Sequence, residues 1–283
     1  MNISESIIHA ASLALELLQC SIQATKGFWA NFMEILACIK RVPITGSQLM
    51  LTPDNMALQT DNMGYGISPH EENAVEAGVQ LTEQIGGQLT LLTLGPTDAE
   101  EQLRASLAVG AARAILLETD GNDWDPQATA NALVDAIKAE PTKFDMIIFG
   151  AESADSAGYQ IHIRVAHALG MPIITNVKAM KVEGGKVRGE RVVGSQREVY
   201  EAPLPAIVTV RDGLNVPRYP SVPGRMQARK KPVDIKSAGG AAPKLEKLKL
   251  TVVPSKATGA EILGNGPDAV PALVEKFKQI GVL

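Results

Sequence analysis

Short apolar runs separated by amphipathic helical segments constrain the fold of this chain more than any other feature. Three of the runs are ILACI at 35–39, LTLLTL at 89–94 and FDMIIFG at 144–150. Each is apolar at nearly every position, which is the pattern of a strand buried on both faces of a parallel sheet. Neighbouring parallel strands need long crossover connections, and helices usually supply them. The pattern therefore predicts an α/β fold, doubly wound around a mostly parallel sheet.

Capping residues mark the helices between these strands. The segment SPHEENAVEAGVQLTEQI at 68–85 begins with Ser68 as N-cap, has Pro69 at the first helical position, and stops at Gly86-Gly87. These residue types satisfy or tolerate the free backbone groups at helix ends. On similar grounds we predict further helices at 97–110 and 125–140, a helix ending near Ala168, and strands at 113–118 and 173–175.

Three parts of the chain depart from this rhythm. At 48–60 apolar and polar residues alternate on either side of a Pro-Asp-Asn turn, which predicts a hairpin. Residues 178–210 also show this alternation, around a Gly-Gly turn, which predicts antiparallel strands at the sheet edge. The α/β domain is therefore assigned to 33–225. From about Met226 the chain becomes rich in Lys, Pro and Gly, which predicts an extended C-terminal arm over 226–283 with a final helix at 267–281. An arm of this length cannot bury itself, so we expect it to lie on a partner.

Residues 1–32 precede Met33 as a segment of their own. Leu15, Leu18 and Ile22 have helical spacing, so an amphipathic helix is predicted. Its glutamates argue against a signal peptide, and the segment is too short and polar to cross a membrane. Two interpretations stay open: an upstream extension absent from the native protein, or a partner-binding helix.

Charge and cysteine usage exclude several classes of function. The net charge of −4 lacks the basic face of a nucleic-acid binder, so the run ARKK at 228–231 is interpreted as a local docking or solvated patch. The two cysteines form no CxxC motif, and the four histidines have no metal-ligand spacing. We therefore expect no disulfide framework, no metal site, no membrane insertion, and a reducing, cytoplasmic compartment.

A ligand site is expected beyond the carboxyl ends of the parallel strands. The loops at 94–100 and 150–160 follow two predicted strands there, and the helix beginning at Ser68 lies in the same layer. Helix N-termini bind phosphate through free N–H groups. The chain has no GxxxxGK[ST], GxGxxG or GxSxG motif and no recognisable nucleophile–base set, and His162 and His167 are interpreted as surface or packing residues. The sequence thus predicts a nucleotide site without a catalytic set.

The segment PAIVTVRDGLNVPRYPSVPGRMQARKKPV at 205–233 has an unusual composition. An apolar strand leads into a loop with prolines at 217, 220 and 223, and a basic run follows. Proline makes such a loop stiff, which favours a surface that is presented to another molecule. A loop packed on its own domain is the alternative.

Several of these segments together resemble the β subunit of electron-transferring flavoprotein. They are MEILACIKRVP, SPHEENAVEAGVQL, the LGP turn, RASLAVGAARAILLE and the segment at 205–233, and the likeness covers residues 33–283. The last is the most specific, because the strand, Asn-x-Pro-Arg-Tyr, the proline loop and the basic run occur in order. The resemblance implies a Rossmann-like fold of the adenine nucleotide alpha hydrolase kind. It also implies an electron carrier subunit, which is not a complete enzyme.

The resemblance further implies two nucleotides. The β subunits of this family pair with an α subunit that makes most contacts to a redox-active FAD, and they commonly bind AMP themselves. Carried onto this sequence, the cofactor-binding residues are Cys38, Ser68, Pro69, His70, Glu71, Leu94, Ala151, Glu152, Ser153, Ala154, Asp155, Ser156, Tyr159 and Gln160.

A docking loop is implied as well. Residues 213–226 would bind flavin dehydrogenases, such as the acyl-CoA dehydrogenases of fatty acid oxidation, and electrons would leave to an acceptor such as a quinone oxidoreductase. The docking residues would be Val222, Pro223, Arg225 and Met226. The family's anchor is often leucine, so Val222 would bury less apolar surface and is expected to bind more weakly or to a smaller pocket.

Two motifs depart from the family pattern. DSAGYQIH at 155–162 stands where many relatives have Asp-x-Asp-Thr/Asn-x-Gln-x-Gly, and RVVGSQRE keeps Arg191 and Glu198 of Arg-x-x-Asp-Gly-Gly-x-Glu. The altered loop disfavours an electron-splitting β subunit with a second FAD. A stand-alone nucleotide-binding sensor is the other alternative, and it leaves the C-terminal arm unexplained. A nucleotide-activating enzyme ranks last, for lack of a phosphate loop.

Overall fold

The computed structural model describes residues 32–45, 49–239, 244–252 and 260–283. The helix predicted within 1–32 falls outside these ranges, apart from Phe32. The strands are β1 Met33–Cys38, β2 Val42–Pro43, β3 Tyr65–Gly66, β4 Gly87–Gly95, β5 Arg113–Glu118, β6 Met146–Gly150, β7 Ile173–Val177, β8 Ala179–Glu183, β9 Lys186–Val193, β10 Gln196–Pro203, β11 Ala206–Val210 and β12 Val233–Ser237. The helices are α1 Pro69–Ile85, α2 Glu100–Val109, α3 Pro126–Ala139, α4 Ile161–Leu169, α5 Val222–Ala228 and α6 Val270–Gln279.

A seven-stranded sheet forms the centre of the fold, in the order β12-β5-β4-β1-β6-β11-β7. Every neighbouring pair in it is parallel. β1 lies in the middle, with β4 on one side and β6 on the other, so the strand order reverses between β1 and β6. The predicted doubly wound α/β fold is confirmed.

Burial on both faces explains why the strands read as continuous apolar runs. Ile35 and Ala37 of β1 face a core shared with α1 and α2, whereas Leu36 and Cys38 face a core shared with α3 and α4. A fully buried Ile or Leu side chain stabilises a fold by about 1.5–3 kcal/mol. Successive residues therefore pack into opposite faces of the same sheet, and even the polar Thr90 and Thr93 of β4 are buried.

The predicted capping of α1 is confirmed. Ser68 has extended backbone, Pro69 occupies the first turn, and the Ser68 N–H donates to Glu71 Oε2 at 2.9 Å in a capping box. Gly86 ends the helix with φ of 89°, a conformation that glycine adopts without steric cost. These contacts define the start of α1.

The region 178–210 differs from its prediction. β8, β9 and β10 are antiparallel, but they form a separate three-stranded sheet and do not extend the edge of the main one. Gly189 of β9 explains the packing, since a Cβ there would come within 3.0 Å of the Ile174 and Val177 side chains of β7. β11 belongs to the main sheet, where all five of its residues are buried between β6 and β7.

The prediction of an extended arm from Met226 onward is also wrong in its first part. α5 runs through Val222–Ala228, and Val233–Ser237 forms β12, the edge strand beside β5. The Lys236 ammonium lies 2.6 Å from Glu140, whose carboxylate also pairs with Arg113 at 2.6 Å. Main-chain pairing and this ion-pair group hold the strand, so it needs no apolar alternation. The predicted hairpin at 48–60 is reduced to one bridge between Leu51 and Leu58.

The chain divides into two compact units. The first contains the described residues up to 45 and those from 60 to 246, and the second contains 49–59 and the described residues from 247 to 283. Within the second unit the Leu250 N–H donates to the Asn55 carbonyl at 2.7 Å, and α6 confirms the predicted final helix. No helix within the described ranges combines the length and the apolar composition that a membrane crossing requires.

Candidate functional site

Three segments converge at the reversal of strand order: the loop after β1, the loop after β6 and the N-terminus of α1. The Ala154 N–H donates to Ser68 Oγ at 2.9 Å, which joins the β6 loop to the cap of α1. Ser68 is fully buried. In parallel α/β sheets a crevice at such a reversal is the usual place for a ligand.

Glu71 is a buried carboxyl at the base of this crevice. Burial raises the pKa of Glu71 to about 8, although hydrogen bonds from the Ser68 and Lys40 backbone work in the opposite direction. The residue can lie so close to β6 because position 150 is glycine. A Cβ on Gly150 would lie 2.8 Å from Glu71 Cγ and 3.1 Å from the Cβ of His70.

Lys40 and Asp155 form an ion pair that joins the loops after β1 and β6. Burial acts to raise the pKa of Asp155, but the charge and hydrogen bond of Lys40 outweigh it and hold that pKa below its usual value. The Lys40 side chain remains 41% exposed. Its ammonium is therefore positioned beside the crevice and open to solvent.

His70 connects the crevice to the segment that follows β11. Its Nδ1 accepts a hydrogen bond from the Asp212 N–H at 2.9 Å, and its Nε2 lies 3.3 Å from Glu152 Oε1. An imidazole that accepts at Nδ1 carries its proton on Nε2, which directs that proton at the Glu152 carboxylate. The hydrogen bond of Tyr159 to Glu152 raises the pKa of the Tyr159 hydroxyl. Tyr159 itself has left-handed backbone, with φ of 52°.

Two predicted site residues are apolar in their behaviour. Cys38 ends β1, and burial together with nearby Glu71 raises the pKa of its thiol, so the group stays uncharged and is a poor nucleophile. Leu94 is half-buried near the end of β4, one strand away from the reversal.

His162 is buried against Phe149, with ring centroids 6.2 Å apart, and burial lowers its pKa to about 4. The interpretation of His162 as a packing residue fits this geometry.

The structure thus brings most of the predicted cofactor residues together. Ser68, Pro69, His70 and Glu71 start α1, and residues 151–160 form the facing loop. In that loop the hydroxyls of Ser153 and Ser156 are 2.9 Å apart, while the Gln160 side chain accepts from Arg164 at 2.9 Å. None of these contacts identifies a ligand, so the assignment of individual residues stays a prediction.

Sequence reasoning missed the basic pair directly after β1. Besides Lys40, Arg41 lies with its guanidinium 3.3 Å from the centroid of the Tyr65 ring, and its buried Nε has no hydrogen-bond partner in the part of the chain that the structure describes. Two consecutive cations at the carboxyl end of a central strand were a readable signal for an anionic ligand. Within the described residues, no group of three or more His, Cys, Asp and Glu side chains could hold a metal ion.

The segment at 211–228 begins directly after β11, at the carboxyl end of the sheet where the crevice lies, and it displays apolar side chains. We call it the docking segment, after the role that the sequence predicts for it. Tyr219 is 95% exposed and Val222 is 73% exposed, and Val216 and Met226 are exposed as well. The predicted loop at 213–226 is a loop only as far as Ser221, whose side chain caps α5 by accepting from the Gly224 N–H at 3.1 Å. Val222, Pro223, Arg225 and Met226 therefore lie on a short helix.

The basic run at 228–231 is not one uniform patch. Lys231 Nζ donates to the carbonyls of Leu107 at 2.9 Å and Ala111 at 2.6 Å, at the C-terminal end of α2. Burial lowers the pKa of Lys231. Arg104 of α2 donates in return to the Ala228 and Lys231 carbonyls. These contacts anchor α5 on α2, so Lys231 is structural and belongs to neither a docking nor a solvated patch.

Comparison with known proteins places the chain in a family. The family model described as "Electron transfer flavoprotein domain" matches residues 56–239. The electron transfer flavoprotein subunit beta of Bacillus subtilis is 32% identical over 255 residues, which cover 87% of this chain and 98% of that protein. The subunit beta of Thermoanaerobacterium thermosaccharolyticum is 34% identical over 264 residues, covering 89% of this chain and 100% of its own length.

A eukaryotic relative gives the same result. The electron transfer flavoprotein subunit beta of Bos taurus is 30% identical over 253 residues, covering 88% of this chain and 98% of that protein. The resemblance noted in the sequence, the all-parallel sheet and the crevice at its strand reversal agree with this similarity. The chain belongs to the electron transfer flavoprotein β subunit family.

Proposed function

We propose that this chain is the β subunit of a heterodimeric electron carrier. Its α subunit would hold most of an FAD, which this chain helps to enclose, and the flavin would take electrons from dehydrogenases such as acyl-CoA dehydrogenases. A quinone oxidoreductase is the kind of acceptor that would then oxidise it. On the cysteine pattern, we also propose a cytoplasmic location.

The observation that carries this proposal is the docking segment. It contains the most family-specific motif of the sequence, and it displays Tyr219 and Val222 to solvent on a well-anchored scaffold. Exposed apolar side chains clustered on one segment mark a protein interaction site. Apolar side chains carry much of the binding energy at the centre of such an interface.

FAD supplies the redox chemistry when it is bound, and this chain supplies position and shielding. Cys38 keeps its proton, and the carboxyl of Glu71 stays mostly protonated at neutral pH. Neither group then places a charge beside the crevice. In an electron carrier subunit neither group needs to act as a general acid or base, because the redox chemistry resides in the flavin.

The crevice between β1 and β6 fits an adenine nucleotide such as AMP. Lys40 is partly exposed, and Arg41, whose Nη2 lies 3.8 Å from Asp98, has a buried Nε–H that no group among the described residues accepts. Both cations follow β1 directly, and the Lys40 backbone bonds to Glu71 in the first turn of α1. Phosphate is favoured at a helix N-terminus. The loop at 151–160 would cover the nucleotide, with Ser68 holding its backbone at Ala154.

Nucleotide content tests the proposal. The full chain is co-expressed with the candidate α subunit, the complex is purified, and the released nucleotides are quantified. A yellow heterodimer with one FAD and one AMP per pair is the expected result. Two FAD per pair without AMP would instead show an electron-splitting carrier. A colourless chain that does not bind the α subunit would overturn the proposal.

A further inference from the structure

The docking segment lies along α1 in a fixed register. The Asp212 N–H bonds to the imidazole of His70, Asn215 bonds to Asn73, and Arg218 bonds to Glu76, with an offset of 142 residues each time. Positions three or four apart share one face of a helix. One face of α1 therefore serves as a continuous seat for the start of the docking segment.

Arg218 makes the strongest of these contacts. Its Nε and Nη2 bond to the two carboxylate oxygens of Glu76 at 2.9 and 3.0 Å, and its Nη1 bonds to Glu83 at 2.6 Å. The Glu76 side chain is only 4% exposed, and Gln80 Nε2 donates to it at 2.7 Å. A planar guanidinium that binds two carboxylates fixes its own orientation as well as its position.

Two exposed apolar residues of the docking segment are close to Arg218 in the sequence. Val216 precedes Arg218 by two residues, and Tyr219 follows it directly. Both are more than 85% exposed, at 87% and 95%, so packing of their own side chains cannot hold them in place. Pro217 and Pro220 restrict the backbone on either side of the arginine. The orientation of the exposed residues thus depends on where Arg218 is held.

We propose that Arg218 is a positioning residue for partner docking, acting through Glu76 and Glu83 of α1. The inference rests on the proposed function of the docking segment. Held by two carboxylates, the segment meets its partner already ordered, so binding does not have to order it. We call the ion pairs of Arg218 with Glu76 and Glu83 the clamp. Loss of the clamp would weaken docking while the exposed apolar side chains of the docking segment stay in the protein.

The test compares four single variants in the heterodimer with the α subunit. Arg218→Gln and Glu76→Gln break the clamp. Glu83→Gln removes only the carboxylate of Glu83, whose side chain is 55% exposed, so this variant is expected to fold normally. Glu140→Gln is the matched control, because Glu140 is a carboxylate that is 5% exposed and pairs with Arg113 at 2.6 Å. The probe is a purified acyl-CoA dehydrogenase with its acyl-CoA, and the heterodimer is the varied electron acceptor.

We expect Arg218→Gln and Glu76→Gln to raise the KM for the heterodimer about tenfold, which corresponds to about 1.4 kcal/mol, with kcat little changed. Glu83→Gln should raise KM by a smaller factor, and Glu140→Gln should leave it unchanged. The double variant Arg218→Gln/Glu76→Gln should be no worse than either single variant, because both remove the same contact. Hydrogen exchange of residues 212–221 should speed up in the clamp variants alone.

Val222→Asp separates this inference from the proposed function. If Val222→Asp weakens docking and the clamp variants do not, the segment docks without the help of Arg218 and the inference is wrong. If Val222→Asp also has no effect, the docking role of the segment itself fails. An equal rise of KM in Glu140→Gln would assign the effect to general destabilisation and would likewise overturn the inference.

Discussion

The buried carboxyl of Glu71 should make the stability of this protein fall as the pH rises. Its pKa is about 8 in the folded chain, against an ordinary value of 4.5. Between these values the folded state holds a proton that the unfolded state has released. Stability is therefore undiminished below pH 4.5 and is lost as the pH rises toward 8.

The magnitude follows from the size of that interval. Where the folded state keeps the proton and the unfolded state has released it, the free energy of unfolding falls by about 1.4 kcal/mol per pH unit. At most about 4 kcal/mol are therefore lost between pH 5 and pH 8. Glu71→Gln keeps an oxygen that accepts from the Ser68 N–H but has no proton to lose. The stability of the variant relative to the wild type should therefore rise steadily over the same interval.

Denaturant unfolding of the heterodimer at several pH values between 5 and 8 measures this difference. Glu101→Gln is the matched control, because Glu101 also lies in the first turn of a helix but is exposed. Its difference from the wild type should not change in this way. A Glu71→Gln difference that stays constant from pH 5 to pH 8 would refute the reasoning and would mean that Glu71 is ionised in the folded protein.

Three further outcomes follow from particular contacts. Val222→Leu should tighten dehydrogenase docking about fourfold, since one added methylene contributes about 0.8 kcal/mol when buried; an unchanged or raised KM would speak against Val222 as the anchor. Lys231→Met should lower the free energy of unfolding by about 1–3 kcal/mol, because two carbonyls at the end of α2 lose their donor. Thermal unfolding checks this, and an unchanged midpoint would contradict the capping role. Gly150→Ala should destabilise the fold by about 1–3 kcal/mol and lower the bound AMP per heterodimer, because a Cβ there lies 2.8 Å from Glu71. Normal nucleotide content together with normal stability would show that the contact relaxes freely.

Five of the seven strands of the central sheet, β1, β4, β5, β6 and β7, were predictable because their signal is local, whereas β11 was predicted to be antiparallel and β12 was not predicted. β5 was predicted at its observed bounds from RAILLE, and α1 was predicted from Ser68 and Pro69. Continuous apolar runs and helix caps each depend on a few adjacent residues. Such signals can be read without knowing which strands are neighbours.

Pairing over long distances accounts for the errors. β12 reads VDIKS, which has little apolar character, and its place is set by the open edge of β5 and by the ion pair of Lys236 with Glu140. The small sheet packs against the main one where Gly189 allows β9 to contact β7 closely. Neither fact can be read from the local sequence of the strand concerned.

The candidate site likewise has parts that the sequence predicted and contacts that only the folded structure shows. Topology alone placed the start of α1 and the loop at 151–160 at one edge of the sheet. The ion pair of Lys40 with Asp155 needs β1 beside β6, and the clamp of Arg218 on Glu76 needs the docking segment on α1. The sequence motif Asn-x-Pro-Arg-Tyr contains that arginine, but only the structure shows what it binds.

Reduction of the flavin by a dehydrogenase tests the central claim most directly. The purified heterodimer is mixed without oxygen with a catalytic amount of acyl-CoA dehydrogenase and excess acyl-CoA, and flavin absorbance is followed. An electron carrier should lose its flavin absorbance, much more slowly when Val222→Asp replaces the wild-type chain. A heterodimer whose flavin stays oxidised with every acyl-CoA dehydrogenase of its own organism would contradict the account.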